Sequence, residues 1–249
     1  MATTHNSLAA LFDDIADAIR EKFGLTRTMK ADDFPQIIRD AVMLPTAFQR
    51  CEWIGCSGAQ SILLQNMNYS DLKFKMSVLI HEYTTSWGTY LFSSPDSSGS
   101  PAYSFQSYGS RQDDLRFICY GKDQIFLQRL SLDQEHVIDF MSKSGAILVD
   151  GDEYSIDKGS RTIEGDMLLF CYQLTHQNYW LVGNCYWISF WDGNTIVRNL
   201  VPCYLKTAWN GIPAGTIGLY DLCGSLSSNG TPFYTNAGTG AFTKGPDVT

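Results

Sequence analysis

The sequence predicts a mainly β protein, an antiparallel two-sheet sandwich preceded by a small N-terminal helical hairpin. Three observations carry that expectation. Apolar residues recur every three or four positions only within the first 45 of 249 residues. Beyond Pro45 that period gives way to short runs of aromatic and β-branched residues separated by Gly, Asn, Asp and Ser. The runs are numerous and closely spaced, which favours two packed sheets over a barrel of long hairpins.

In NSLAALFDDIADAIREKFG the residues Leu8, Leu11, Phe12, Ile15, Ile19 and Phe23 form one helical stripe. Asn6 or Ser7 can cap that helix and Gly24 can end it. A second helix is expected in ADDFPQIIRDAVM, where Asp32 or Asp33 caps and Pro35 is tolerated in the first turn. Phe34, Ile37, Ile38, Ala41 and Val42 make its apolar face. Neither stripe can be buried by its own helix, so residues 1–45 read as an attachment or oligomerisation module. Pro45 breaks the pattern, and residues 46–249 are expected to form the sandwich domain.

The candidate strands begin with 48–56, 61–65, 71–81, 89–94, 103–108, 115–121 and 125–131, then 136–142 and 145–151. They continue through 153–157, 167–174, 185–191, 195–205 and 216–222. AILVDGDEYSI carries a hairpin signal, with Asp150-Gly151 or Gly151-Asp152 at the turn. SSPDSSGSPAYS, residues 93–104, has the composition of a flexible surface loop. No repeat of fixed period is visible. In FYTNAGTGAFTKG, two short strands joined across Asn236–Gly240 are expected to form a closing hairpin. A phosphate loop is excluded there, because the third glycine is missing and Lys244 is followed by Gly245 where Ser or Thr would hold magnesium.

A formal net charge of -8 without a local basic cluster argues against nucleic acid as a partner. Residues 1–20 show neither a secretory signal nor an apolar run long enough to span a bilayer, so no membrane insertion is expected. The seven cysteines are odd in number and sit mostly in apolar runs, the pattern of buried thiols.

The family resemblance lies at the two ends of the chain. The late run reads Ile196-Val197-Arg198, then Val201-Pro202-Cys203, then Gly218-Leu219-Tyr220-Asp221. Phe233-Tyr234 follows, leading into Asn236-Ala237-Gly238-Thr239-Gly240 and Phe242. This resembles the C-terminal end of laminin-G-like, concanavalin-A-like lectin domains in proteins of bacteriophages and prophages of Gram-positive bacteria. CEWIGCSGAQSILL is similar to the first strand pair of those domains, and ADDFPQIIRDA to a short module of phage tail and baseplate proteins. Residues 65–165 match only in rhythm. The resemblance implies a jelly-roll sandwich on a virion protein made in the host cytoplasm. It also implies a homo-oligomer, with a trimer as the expected symmetry, joined to other virion proteins through residues 1–45. The chain departs from the pattern at Trp209, inside the insertion-like LKTAWNGI, and at Trp187, where a small polar residue is more usual.

Candidate chemistry rests on aromatic residues, which stack on the apolar faces of sugars while amides and carboxylates take the hydroxyls. The carbohydrate-binding candidates are Trp87, Tyr179, Trp180, Trp187, Trp191, Asp192, Asn194 and Trp209. Strand alternation in CYWISFW sets Tyr186, Ile188 and Phe190 on one face and Trp187, Ser189 and Trp191 on the other. Asp150, Asp152 and Glu153 are candidate calcium ligands, although a hairpin turn explains them as well. Glu135 and Asp139 can share a strand face as a glycosidase pair would, but ion-paired or solvated carboxylates are the commoner explanation. His5, His81, His136 and His176 are far apart in sequence, and GxSxG is absent. The expected function is therefore non-enzymatic adhesion to host surface carbohydrate. A structural role in a capsid decoration, head fibre or baseplate is the alternative, and glycan hydrolysis the second alternative.

Overall fold

The computed structural model describes residues 44–83, 89–95, 101–108, 114–119, 122–126, 130–140, 146–155, 163, 165–172, 180–227 and 230–248. The expected helical hairpin, Trp87 and Tyr179 lie outside the described residues. Within the compact unit Thr46–Val248, the described residues form antiparallel strands in two sheets.

The main path of the larger sheet starts with β11 (Asp152–Ser155), β10 (Ala146–Val149), β9 (Glu135–Asp139) and β4 (Leu72–Glu82). It continues through β13 (Val182–Asp192), β14 (Thr195–Leu205), β15 (Ile217–Asp221) and β16 (Phe233–Tyr234). The short strands β1 (Phe48–Arg50), β2 (Ile54–Ser57) and β17 (Thr243–Lys244) complete it. The smaller sheet runs β3 (Ile62–Leu64), β12 (Met167–Leu169), β5 (Tyr90–Pro95), β6 (Pro101–Tyr108), β7 (Asp114–Cys119) and β8 (Lys122–Phe126). Pro95 and Pro101 are register partners, so most of the stretch expected to be a loop at 93–104 is strand.

β4 shows why these residues pair as they do. Its sequence LKFKMSVLIHE alternates, and Leu72, Phe74, Met76, Val78 and Ile80 are all fully buried. The intervening residues point away from the core. Across the gap the smaller sheet supplies Ile62, Leu64, Phe92, Tyr103, Phe105, Phe117, Met167 and Leu169. The Phe74 ring meets those of Phe92, Phe105, Phe117 and Phe140 at centroid distances of 4.8, 5.6, 5.9 and 5.7 Å. Such edge and tilted contacts add to the burial that joins the two layers. Tyr103 places its hydroxyl in this core and donates it to the Leu72 carbonyl at 2.9 Å.

Two connections are set by local chemistry. Asp150 and Gly151 have φ of 53° and 93° between the paired residues Val149 and Asp152, so the β10–β11 turn sits at the first of the two expected positions. Both residues take the left-handed conformation that a two-residue hairpin turn requires. The arms of the β13–β14 hairpin pair only near their turn, from Ile188–Asp192 to Thr195–Leu200. Farther along, β2 pairs with β13 at Val182–Cys185, and β1 pairs with β14 at Cys203–Leu205. The first segment of the unit thus fills the fork between two strands that come late in the chain.

The last segment differs from the expected closing hairpin. β16 and β17 form, but β16 pairs with β15 and β17 with β2. The loop between them lies on residues 59–61 because Asn236 organises it. Its Oδ1 accepts the amides of Ser61 and Gly238, and its Nδ2 donates to the carbonyls of Thr239 and Gly240. The amides of Ala237 and Thr239 donate to the Ser61 and Ala59 carbonyls. Gly238 is required by space, since a Cβ there would stand 2.4 Å from the Ala59 carbonyl oxygen and 2.6 Å from the Trp180 ring.

Cys51, Cys56, Cys171, Cys185, Cys203 and Cys223 are free thiols, and all but Cys223 are buried. Desolvation pushes Cys51, Cys171, Cys185 and Cys223 up to about 12, and Cys56 and Cys203 well above the usual thiol range. Because the thiolate is the reactive form, the five buried thiols should resist iodoacetamide in the native protein at about pH 8 and react once it is denatured. Peptide mass spectrometry reads the difference. Replacing Phe74 with Ala should lower stability by about 3–5 kcal/mol, seen as a lower urea midpoint, whereas Phe74→Leu should cost less.

Candidate functional site

The face of the larger sheet turned away from the core is built by the alternate residues of its strands. On β4 these are Lys73, Lys75, Ser77 and Leu79, between the buried core positions. Pairing carries the same face onto β9 through Glu135, Val137 and Asp139, which lie opposite Leu79, Ser77 and Lys75. On β13 it carries Trp187, Ser189 and Trp191, opposite Ser77, Lys75 and Lys73. Asn199 and Ile196 on β14 lie opposite Ser189 and Trp191.

A bulge changes the expected alternation. Cys185 pairs with Val78 and Trp187 with Ser77, which leaves Tyr186 as an extra residue without a partner on β4. Such a residue bends its strand and redirects the side chain. Tyr186 therefore leaves the core set of Ile188 and Phe190 and lies half-buried beside Trp187. Burial, followed by the Glu135 charge, raises its phenol above the ordinary range, and a hydrogen bond with Asn184 opposes the shift. Asn184 shares a cross-strand row with Leu79, Glu135, Gly55 and Thr243. The Trp53 ring closes that row, packed where Cβ atoms on Gly55 and Gly245 would stand 3.1 and 2.6 Å from it. Trp53, Tyr186 and Trp187 are partly exposed rings on one face.

The polar groups between the rings are paired with one another. Lys75 Nζ lies 3.2 Å from Asp139 Oδ2, and Lys73 Nζ lies 3.4 Å from Asp71 Oδ2. Ser189 donates its hydroxyl to Asn199 Oδ1 at 2.9 Å, and Ser77 donates to Glu135 Oε1 at 2.5 Å. Glu135 and Asp139 do share a face. Four residues of strand put them about 13 Å apart at roughly 3.3 Å per residue, beyond the roughly 5–10 Å of paired glycosidase carboxylates.

The structure brings Trp187 and Trp191 together and disperses the remaining candidates it describes. Trp191 lies almost flush, 9% exposed, in the row of Lys73 and Ile196. Trp180 is 3% exposed and packs with Leu168 and Cys171. Asp192 Oδ1 accepts the backbone amides of Ser70 and Asp71 at 3.2 and 2.9 Å, holding the entry to β4. Asn194 is exposed in the β13–β14 turn. Trp209 packs edge-on against Phe48 at 5.1 Å, in a ring cluster with Tyr220 and Phe233. Sequence reasoning did not select Tyr186 or Trp53. Two adjacent aromatics before a resumed alternation are the one available sign of such a bulge.

The acidic residues proposed for calcium do not form a cage. Asp150 Oδ2 bonds His136 Nδ1 at 2.6 Å, and its Oδ1 accepts the Val137 amide at 2.8 Å. Asp152 and Glu153 are neighbours on a strand and point to opposite faces. Among the described residues, no group of three or more His, Cys, Asp or Glu side chains is placed to hold a metal ion. His136, with 4% of its side chain exposed, also reaches Ser131 through Nε2, 3.1 Å from the carbonyl and 3.3 Å from the hydroxyl. A Ser-His-Asp order is present, but the nearer contact of Nε2 is an acceptor and the Ser131 hydroxyl donates to Gln134. This is the arrangement of a loop clamp. His81 Nδ1 ties the same loop at Asp133, 2.6 Å away.

The residues that carry the family resemblance have structural partners. Arg198 Nε lies 3.8 Å from Asp221 Oδ2, both side chains being buried. Its Nη1 donates to Ser225 Oγ and the Val197 carbonyl, and its Nη2 to the Gln65 carbonyl. Asp221 Oδ1 accepts the amides of Asn199 and Cys223, each at 2.9 Å. Arg198 and Asp221 thereby join β14, β15 and the end of β3.

No protein-family model matches the sequence, and no curated protein matches it. Among solved structures the chain is similar to the native heptameric SAP-like pentraxin from Limulus polyphemus. That match has 13% identity and a TM-score of 0.37, and covers 60% of this chain and 78% of that one.

Removing one partner of a buried ion pair strands the other charge. Asp221→Ala should therefore cost about 3–5 kcal/mol, measured by chemical denaturation. His136→Ala should cost about 1–3 kcal/mol, because it removes a buried hydrogen-bonding ring.

Proposed function

We propose that this protein is a non-enzymatic adhesin whose sandwich binds carbohydrate on the outer face of its larger sheet. The observation that carries the reading is the β13 bulge, which sets Tyr186 and Trp187 side by side over a row of amide, hydroxyl and carboxylate groups. Partly exposed rings offer stacking surfaces to the apolar faces of sugars. Glu135 and Lys75, with Asn184 at the edge of the rings, offer donors and acceptors to hydroxyls at the same level. The resemblance of residues 196–242 to phage lectin domains supports a place on a virion, facing a bacterial surface. Residues 1–45 would join it to copies of itself, as a trimer, and to other virion proteins. Weak individual sites would gain avidity from such multivalency.

A structural role is the second reading, and one observation favours it. Partly exposed rings, Trp53, Tyr186 and Trp187, are gathered on one face, and aromatic residues are enriched at protein interfaces. Binding to an array of bacterial surface glycans separates the two readings. The wild type should bind a defined subset, and the Tyr186→Ala, Trp187→Ala double variant should bind at least about tenfold more weakly, a loss near 1.4 kcal/mol. Absence of wild-type binding to every glycan would leave the structural reading.

A further inference from the structure

We propose, building on the carbohydrate-binding reading, that the ligand is an uncharged linear polysaccharide gripped along its length and not at its end. The first argument is extent. The row Glu135, Leu79, Asn184, Gly55 and Thr243 crosses five adjacent strands. At about 4.8 Å between neighbours it covers roughly 19 Å of the face. Trp53 stands near one end of that row and Tyr186 within it. Contacts so spread out on an open sheet match a chain that continues in both directions.

The second argument is charge. Lys75 is neutralised by Asp139 and Lys73 by Asp71. Glu135 faces Tyr186, and the whole chain carries a net charge of -8. A polyanion finds no excess positive charge here to replace its counterions. The polar groups are also pre-assembled: Ser189 with Asn199, and Ser77 with Glu135, hold each other in place before any ligand arrives. Hydroxyls of a neutral sugar can use the remaining lone pairs of the exposed Glu135 and the remaining N–H groups of Lys75 without breaking an ion pair. A cationic polymer would have to draw on Glu135 against the paired lysines beside it.

The test is calorimetric titration of wild-type protein with a size series, monosaccharide to hexasaccharide, of the neutral glycan giving the strongest array signal. The series is repeated between about 0.05 and 1 M salt, across which the screening length falls severalfold. Affinity should rise at least about tenfold from monosaccharide to hexasaccharide and change less than about twofold with salt. Trp53→Ala should weaken the hexasaccharide more than the disaccharide. A monosaccharide as good as the hexasaccharide overturns the inference while leaving carbohydrate binding intact. So does a charged polymer that binds more tightly than any neutral one and is released by salt. Failure of every glycan to bind overturns both readings.

Discussion

The sandwich depends on the aromatic contact between its layers at Phe74. This ring sits near the start of β4, the strand that joins the β9–β11 side of the larger sheet to β13 and β14. It reaches across to Phe92, Phe105 and Phe117 on three strands of the smaller sheet. A sheet with one apolar face must bury it against another layer, and interlocking rings allow few relative positions of the two. Once β4 is fixed from within, the outward side of the same strand is fixed as well. Lys73 and Lys75 reach the outer face because Leu72, Phe74 and Met76 are core.

A second constraint is closure of the chain. Residues 48–57 fill the fork of β13 and β14, while the loop around Asn236 lies on residues 59–61. Distant segments therefore complete one another's hydrogen bonding, as buried backbone groups require. Arg198 and Asp221 anchor the adjoining strands through side-chain to backbone bonds. The motif residues that stand out in the sequence act mostly in this closure: Asn236 organises a loop, Gly238 admits the Trp180 ring, and Asp221 holds two amides. They hold the fold together, and the candidate ligand surface lies elsewhere.

That surface arises from a departure from regular pairing. A strand with strict alternation would have kept Tyr186 with Ile188 and Phe190 in the core. One extra residue at Cys185–Trp187 turns it outward and sets two rings together. The polar residues around them are joined in pairs, so the candidate face is ordered before any ligand arrives and would lose little freedom on binding. The same pairing keeps Asp139 and Glu135 engaged with Lys75 and Ser77.

The sequence by itself determined the mainly β character, a strand at 71–81 and a hairpin turn at Asp150-Gly151 or Gly151-Asp152, between which the structure chose the first. Each is local: alternation reports a half-buried strand, and an Asp-Gly pair permits the left-handed turn. It also placed Trp187 and Trp191 on one face, because period two needs no partner strand. Tertiary structure alone decided that Trp180 is core, that Asp192 holds Ser70 and Asp71, that Asp150 belongs to His136, and that β16 and β17 pair with different strands. These outcomes depend on which segment arrives beside another across tens or hundreds of residues, information that no local period carries. The bulge at Tyr186 lies between the two cases, for its aromatic neighbours are written in the sequence but its register against β4 is set only when the strands meet.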